Sequence, residues 1–114
     1  IALVRPLIEK GILPEDYPLS CHSLTGYSGG GKGMIAEYTD EKRATKYDAP
    51  RVYGLSLKHK HLPEMQVITG ASQPPIFTPV VADYYSGMLV SVPVPIIALQ
   101  AVKNGWRIII KILN

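Results

Sequence analysis

The sequence predicts an α+β domain built on a mixed or antiparallel sheet. Three observations lead there. Helical spacing and strand-like runs both occur, each in short pieces. They do not alternate in the regular βαβ order that a parallel sheet requires. No G-x-G-x-x-G segment is present, so a dinucleotide-binding half would have to lie outside this chain.

Taken in order, Leu3, Val4, Leu7 and Ile8 fall at helical spacing within residues 1–10, and Gly11 is a C-terminal stop. Pro6 is tolerated only in a first turn, so this helix begins near the start of the chain. Leu13-Pro14-Glu15-Asp16-Tyr17-Pro18 is a turn. Leu19 to Thr25 alternates as a strand and delivers the chain into a glycine-rich loop. Gly33 to Tyr38 is expected to form a short helix after that loop. The polar stretch from Thr39 to Pro50 has few apolar residues and reads as a mobile surface loop.

Tyr53 to Leu57 reads as a short strand. Leu62-Pro63-Glu64-Met65-Gln66 opens a helix with Pro63 in its first turn, where a missing N–H costs nothing. Two further strands, Ile76 to Val81 and Met88 to Val94, flank a turn at Asp83-Tyr84-Tyr85-Ser86-Gly87. No internal repeat occurs. Ile1-Ala2-Leu3-Val4 opens inside a hydrophobic pattern, and the chain closes on the strand-like run Trp106-Arg107-Ile108-Ile109-Ile110-Lys111-Ile112-Leu113. Both ends are therefore expected to be truncated.

With 114 residues, 46% hydrophobic and 18% charged, the chain should fold as one small domain with a modest core. Ten prolines and ten glycines point to many turns. The net charge of +3 is scattered, with Lys58 and Lys60 beside histidines as the one local concentration. That suits a small anion and is too thin for nucleic acid, which needs a broad basic stripe. A single cysteine, Cys21, excludes an internal disulfide framework and a thiolate-rich zinc site, and fits a reducing cytoplasm. No signal peptide is evident, and no apolar run is long enough to cross a membrane.

The chemistry concentrates in two motifs. In Leu24-Thr25-Gly26-Tyr27-Ser28-Gly29-Gly30-Gly31-Lys32-Gly33, consecutive glycines let backbone N–H groups converge on an anion, and Lys32 adds charge. Gly26-x-x-x-x-Gly31-Lys32 nearly fits a phosphate-binding P-loop, but Gly33 replaces the serine or threonine that would hold magnesium. A flexible turn without ligand is the plain alternative. The second motif is His59-Lys60-His61-Leu62-Pro63-Glu64. Its histidines and carboxylate offer proton-transfer groups at neutral pH. His59-x-His61 could also be half a metal site, with His22 as a third ligand, or simply solvated histidines. Cys21, on an alternating strand between Ser20 and His22, is either a nucleophile or a small buried hydrophobe, and a free cysteine there is more often the latter.

Three motifs together resemble a known family. They are Leu24 to Lys32, the run from Tyr53 through Lys58-His59-Lys60-His61-Leu62-Pro63-Glu64-Met65, and Phe77-Thr78-Pro79 leading to Gly87-Met88-Leu89-Val90-Ser91-Val92-Pro93. Their order and sequence are similar to the shorter type of N-acetyl-gamma-glutamyl-phosphate reductase, across residues 1–95. The resemblance implies part of a catalytic domain like the C-terminal domain of glyceraldehyde-3-phosphate dehydrogenase, with residues 96–114 as a divergent or truncated tail. It implies an enzyme of arginine biosynthesis that uses NADP to reduce N-acetyl-glutamyl 5-phosphate to the semialdehyde and releases phosphate. It also implies a Rossmann domain elsewhere, a homo-oligomer when full length, and a small acyl-phosphate substrate.

Residue by residue, the resemblance makes His61 the acid/base, with His59 as the alternate or as a substrate contact. Ser28, Gly29, Gly30 and Gly31 match the loop that approaches the cofactor. Lys32 and Glu64 fall on the substrate side, with Glu64 orienting His61 or the substrate. The family's nucleophilic cysteine lies in an Asn-Pro-Gly-Cys segment that would precede Ile1, so Cys21 does not take that role and the fragment alone is expected to be inactive. No metal is expected. Two rivals remain open: a non-catalytic anion- or nucleotide-binding module using Gly26 to Lys32, and an interaction domain whose final strand drives self-association.

Overall fold

The computed structural model describes residues 1–56 and 58–95. In chain order they form α1 (Arg5–Glu9), β1 (Ser20–Gly26), a 3-10 turn (Tyr27–Gly30), α2 (Gly31–Thr39), a second 3-10 turn (Thr45–Tyr47), β2 (Arg51–Val52), α3 (Leu62–Thr69), β3 (Ile76–Ala82) and β4 (Met88–Ser91). The strands make one sheet in the order β2-β3-β1-β4, with β1–β4 and β2–β3 antiparallel. The α+β expectation holds. The tail at 96–114, including the strand read at Trp106 to Leu113, lies outside the described residues. The chain divides into two compact units.

The first unit takes residues 1–21 and 59–76, and rejoins the chain at Val92. Its core is Val4, Ile8, Leu13, Leu19 and Ala71, with Leu7, Tyr17, Val92 and Val94 packed around it. Val4, the N-cap residue, and Ile8 are four residues apart and so share the face that enters this core. Pro6 lies in the first turn of α1, as its missing N–H requires. The helix is shorter than the spacing suggests, because Lys10 caps it and Gly11 follows at φ 63°. Two backbone bonds stitch the turn segments, Ser72 N–H to the Glu15 carbonyl at 2.8 Å and Ile76 N–H to the Leu19 carbonyl at 2.9 Å. Pro63 stands in the first turn of α3, and Gly70 closes that helix.

The second unit, residues 22–58 and 77–91, carries the body of the sheet and α2. On β3 the buried residues Phe77, Pro79 and Val81 alternate with the half-buried Thr78 and Val80, the period-two pattern of a strand covered on one face. β1 pairs with β4 from His22↔Ser91 to Thr25↔Met88. β4 is exposed along its length, Met88, Leu89 and Val90 included.

Two strand expectations need correction. β2 is Arg51–Val52 rather than Tyr53 to Leu57: pairing with β3 ends once Tyr53 N–H reaches the Pro79 carbonyl at 3.0 Å, and residues 55–56 form a turn. Leu57 is outside the described residues. β4 ends at Ser91 instead of Val94, and Val92 and Val94 leave the ladder to pack on the core of the first unit. The polar stretch after α2 is exposed, as expected, but it is also pinned. Arg43 and Tyr47 fix it, the first by ion pairs and the second by ring contacts. A count of apolar residues does not register either kind of tie.

Gly26 shows why this unit needs a glycine at the end of β1. Its N–H donates to the Gly87 carbonyl at 3.0 Å, and a Cβ there would stand 2.7 Å from the carbonyl oxygens of both Tyr84 and Tyr85. Backbone cannot yield as a flexible side chain would. Gly26→Ala should therefore cost about 1–3 kcal/mol, the usual scale of overpacking. Thermal melts followed by circular dichroism check it, and an unchanged Tm would show that the two segments are not in contact.

Candidate active site

The glycine segment is built from the end of β1. Gly26, Tyr27 and Ser28 give their N–H groups to the carbonyls of Gly87, Tyr84 and Tyr85, at 3.0, 3.0 and 2.9 Å. These three amides are committed to the turn and cannot hold an anion. The chain then makes the 3-10 turn, and Gly31 opens α2 at φ 78° and ψ −171°, a conformation that essentially only glycine adopts. Gly29, Gly30, Gly31 and Lys32 are exposed, and Ser28 is half-buried. The first-turn amides of a helix lack intrahelical partners and favour negative charge. The Gly31 amide already donates to the Ser28 carbonyl, so the segment can receive an anion at the Lys32 and Gly33 amides, with the Lys32 side chain beside them. No side chain caps the helix end in competition.

Around that segment the tyrosines form a tight group. The Tyr27 ring stacks on Tyr38 at 4.9 Å between centroids and meets Tyr85 edge-on at 5.8 Å. Tyr47 approaches Tyr38 edge-on at 5.1 Å, and the Arg51 guanidinium lies 4.4 Å over the Tyr47 ring while its Nε donates to Tyr38 Oη at 3.2 Å. Sequence reasoning passed over these residues. Only the density of tyrosines hinted at them.

The histidine motif belongs to the other unit, where it opens α3. His61 is the N-cap residue of α3, in an αR conformation. Its Nδ1 lies 3.1 Å from Glu64 Oε2, one turn on, and both side chains are about half exposed. That pairing makes Nδ1 the donor to the carboxylate and leaves Nε2 as the nitrogen that can exchange a proton. His59 is half-buried, and its ring centroid lies 5.3 Å from that of His61. Its Nδ1 accepts the backbone N–H of His61 at 3.3 Å, which needs a ring unprotonated at that nitrogen. Burial, then the neighbouring His61 and Lys60, push the His59 pKa below its ordinary value. His59 is thus kept neutral, and His61 is the histidine with an oriented ring.

Cys21 behaves as a small hydrophobe. It is half-buried, and burial pushes its thiol pKa up, away from the nucleophilic thiolate. His22, on β1, pairs across the sheet with Ser91. Among the described residues no group of three or more histidine, cysteine or acidic side chains is placed to hold a metal ion.

This α+β domain, with a glycine-opened helix and a paired histidine at a second helix start, falls in a known class. A family model described as "Semialdehyde dehydrogenase, dimerisation domain" matches residues 1–108, and the chain belongs to that family. Among curated relatives, N-acetyl-gamma-glutamyl-phosphate reductase 2 of Nostoc sp. is 41% identical over 112 residues, 95% of this chain and 35% of the relative. The N-acetyl-gamma-glutamyl-phosphate reductase of Sinorhizobium medicae is 46% identical over 102 residues, 89% of this chain and 33% of the relative. That of Sinorhizobium fredii is 48% identical over 94 residues, 82% of this chain and 30% of the relative. The chain thus spans about a third of the length of these relatives. No solved structure matches it at a significant level. The resemblance carried by the three sequence motifs is borne out.

The His59 ring yields a prediction. With its folded pKa lowered, the unfolded chain takes up the proton first as pH falls below about 6.5, so the native state loses stability on acidification through that range. A proton NMR titration should place the His59 midpoint below 6.5. A midpoint at or above that value would contradict the neutral ring and its hydrogen bond from the His61 amide.

Proposed function

We propose that this chain is the central part of the catalytic domain of an NADP-dependent acyl-phosphate reductase. The reaction is conversion of N-acetyl-glutamyl 5-phosphate to N-acetyl-glutamate 5-semialdehyde with release of phosphate, a step of arginine biosynthesis. The carrying observation is the His61–Glu64 pair at the start of α3, in a chain whose relatives bear that reductase name. Residues 1–95 belong to the catalytic domain in this reading, and 96–114 form a divergent tail.

In the proposed mechanism a cysteine thiolate outside these residues attacks the acyl phosphate, phosphate leaves, and the thioester is reduced. His61 holds or returns the proton at Nε2 while Glu64 keeps the ring oriented through Nδ1. Cys21 is not assigned as the nucleophile in this reading, which takes that cysteine from an Asn-Pro-Gly-Cys segment, and burial pushes the Cys21 thiol pKa up. Gly29, Gly30 and Gly31 fit close approach by an anionic group, because their backbone is exposed and carries no side chain, and Ser28 offers its hydroxyl beside them. They are assigned to the cofactor, and Lys32 to the substrate's charge. NADPH, when bound, supplies the hydride. His59, held neutral, contributes as a hydrogen-bonding substrate contact rather than as a cation.

Pairing with a second copy belongs to the same reading. The matched family is described as a dimerisation domain, and β4 exposes Met88, Leu89 and Val90. A cytoplasmic location suits a reductase of a small phosphorylated metabolite. Among the described residues no helix is long and apolar enough to cross a membrane.

The test uses the full-length reductase that carries this domain. His61→Asn should lower kcat by about a hundredfold or more, the scale of losing an acid/base group; near-normal turnover would remove His61 from the chemistry. Lys32→Ala should chiefly raise KM for the acyl phosphate, and an unchanged KM would remove the glycine segment from anion binding.

A further inference from the structure

The turn between β3 and β4 holds both ends of α2. At the start of the helix, the Tyr84, Tyr85 and Gly87 carbonyls accept the three amides of Gly26 to Ser28. At the other end the contact is ionic. Asp83 Oδ1 and Oδ2 accept from Arg43 Nη1 and Nη2, at 2.8 and 2.6 Å. The same guanidinium donates through Nη1 to the Tyr38 carbonyl in the last turn of α2 at 2.9 Å, and through Nη2 to Asp48 Oδ1 at 2.8 Å. One side chain thus ties the end of α2 and the Thr45–Tyr47 turn to the segment that grips the glycines. A planar guanidinium can serve these acceptors at once, and an ammonium cannot.

We infer that Arg43, fixed by Asp83, is a positioning residue that sets where α2 presents Lys32 and Gly33. The inference rests on the reading of that segment as the anion-holding part of the reductase. Its physical basis is leverage. The nine residues of α2 run about 13 Å, so a small tilt at the Tyr38 end displaces the Gly31 end. Gly26 cannot absorb such a tilt, because Tyr84 and Tyr85 carbonyls fill the space beside it. Tyr27 cannot either, since its ring stacks on Tyr38 from the same helix. The clamp is well made electrostatically. The Arg43 side chain is only 24% exposed, and its hydrogen bonds, with its charge adding less, hold the Asp83 carboxyl below the usual carboxylate range. A clamp that served stability alone would leave substrate affinity untouched when loosened. One that aims the amides would not.

The experiment compares Arg43→Gln, Asp83→Asn, their double variant and Lys32→Ala in the full-length reductase, with kcat, KM for the acyl phosphate and Tm measured for each. Arg43→Gln and Asp83→Asn should each raise KM about tenfold or more with kcat little changed, as expected when a positioned contact is displaced. The double variant should be no worse than the worse single, because both break one contact. If Arg43→Gln is not recovered folded, Asp83→Asn alone decides, since it keeps the shape of the side chain and removes its charge and one of its two acceptor oxygens. A raised KM in Lys32→Ala beside a normal KM in Arg43→Gln and Asp83→Asn would overturn the positioning role and leave the reading of the segment standing. A normal KM in Lys32→Ala would instead take down the reading itself, and the inference with it.

Discussion

Three backbone hydrogen bonds between Gly26–Ser28 and the Tyr84–Gly87 turn govern the second unit. Each contributes only about 0.5–1.5 kcal/mol net. Their importance is geometric. They bring two chain segments so close that no Cβ fits at position 26, and they direct the chain off β1 into the 3-10 turn that leads to α2. Tyr27 is then held between Tyr38 and Tyr85, so the aromatic group and the backbone clasp enforce one another. The exposed glycines beyond this clasp owe their fixed position to it. Three adjacent glycines would otherwise lose much entropy on ordering.

The first unit solves a different problem, that of orienting an exposed histidine. Pro63 and Gly70 delimit α3, so the helix start falls at His61. A helical turn then brings Glu64 to the His61 ring, and the His61 amide occupies the Nδ1 of His59. Two neighbouring imidazoles thereby acquire different settings, one kept neutral by burial and a backbone donor, the other oriented by a carboxylate. An exposed ion pair of this kind adds little stability, commonly under about 1 kcal/mol. Its value is orientation, which fits a proton-transfer role better than a structural one.

Much of this was legible in the residues. Period-two burial on β3 and the placement of Pro6 and Pro63 followed from steric rules that act locally. What the sequence could not show is decided by long-range contact. β2 is placed by where Arg51 and Val52 meet Val81 and Val80, not by the apolar run that follows. β4 stops at Ser91 because Val92 and Val94 have a core to join. In the glycine motif, the consecutive glycines suggested that backbone amides converge on an anion. In the structure the first three serve the fold, and the partner carbonyls lie far along the chain, where no local pattern reveals them. Arg43 was hidden for the same reason. It stands in a polar stretch that looked unanchored, and its main partner, Asp83, is forty residues away.

The central claim is a division of labour within one motif: amides from Gly26 to Gly31 committed to the turns, receptive amides at Lys32 and Gly33 where α2 begins. Amide NMR of the full-length reductase, labelled with nitrogen-15 at glycine, reads it directly during titration with inorganic phosphate. The Gly33 signal should move along a saturable curve while the Gly26 signal, bonded to the Gly87 carbonyl, stays in place. Phosphate that leaves the Gly33 signal unmoved, or that shifts Gly26 as much, would contradict the account.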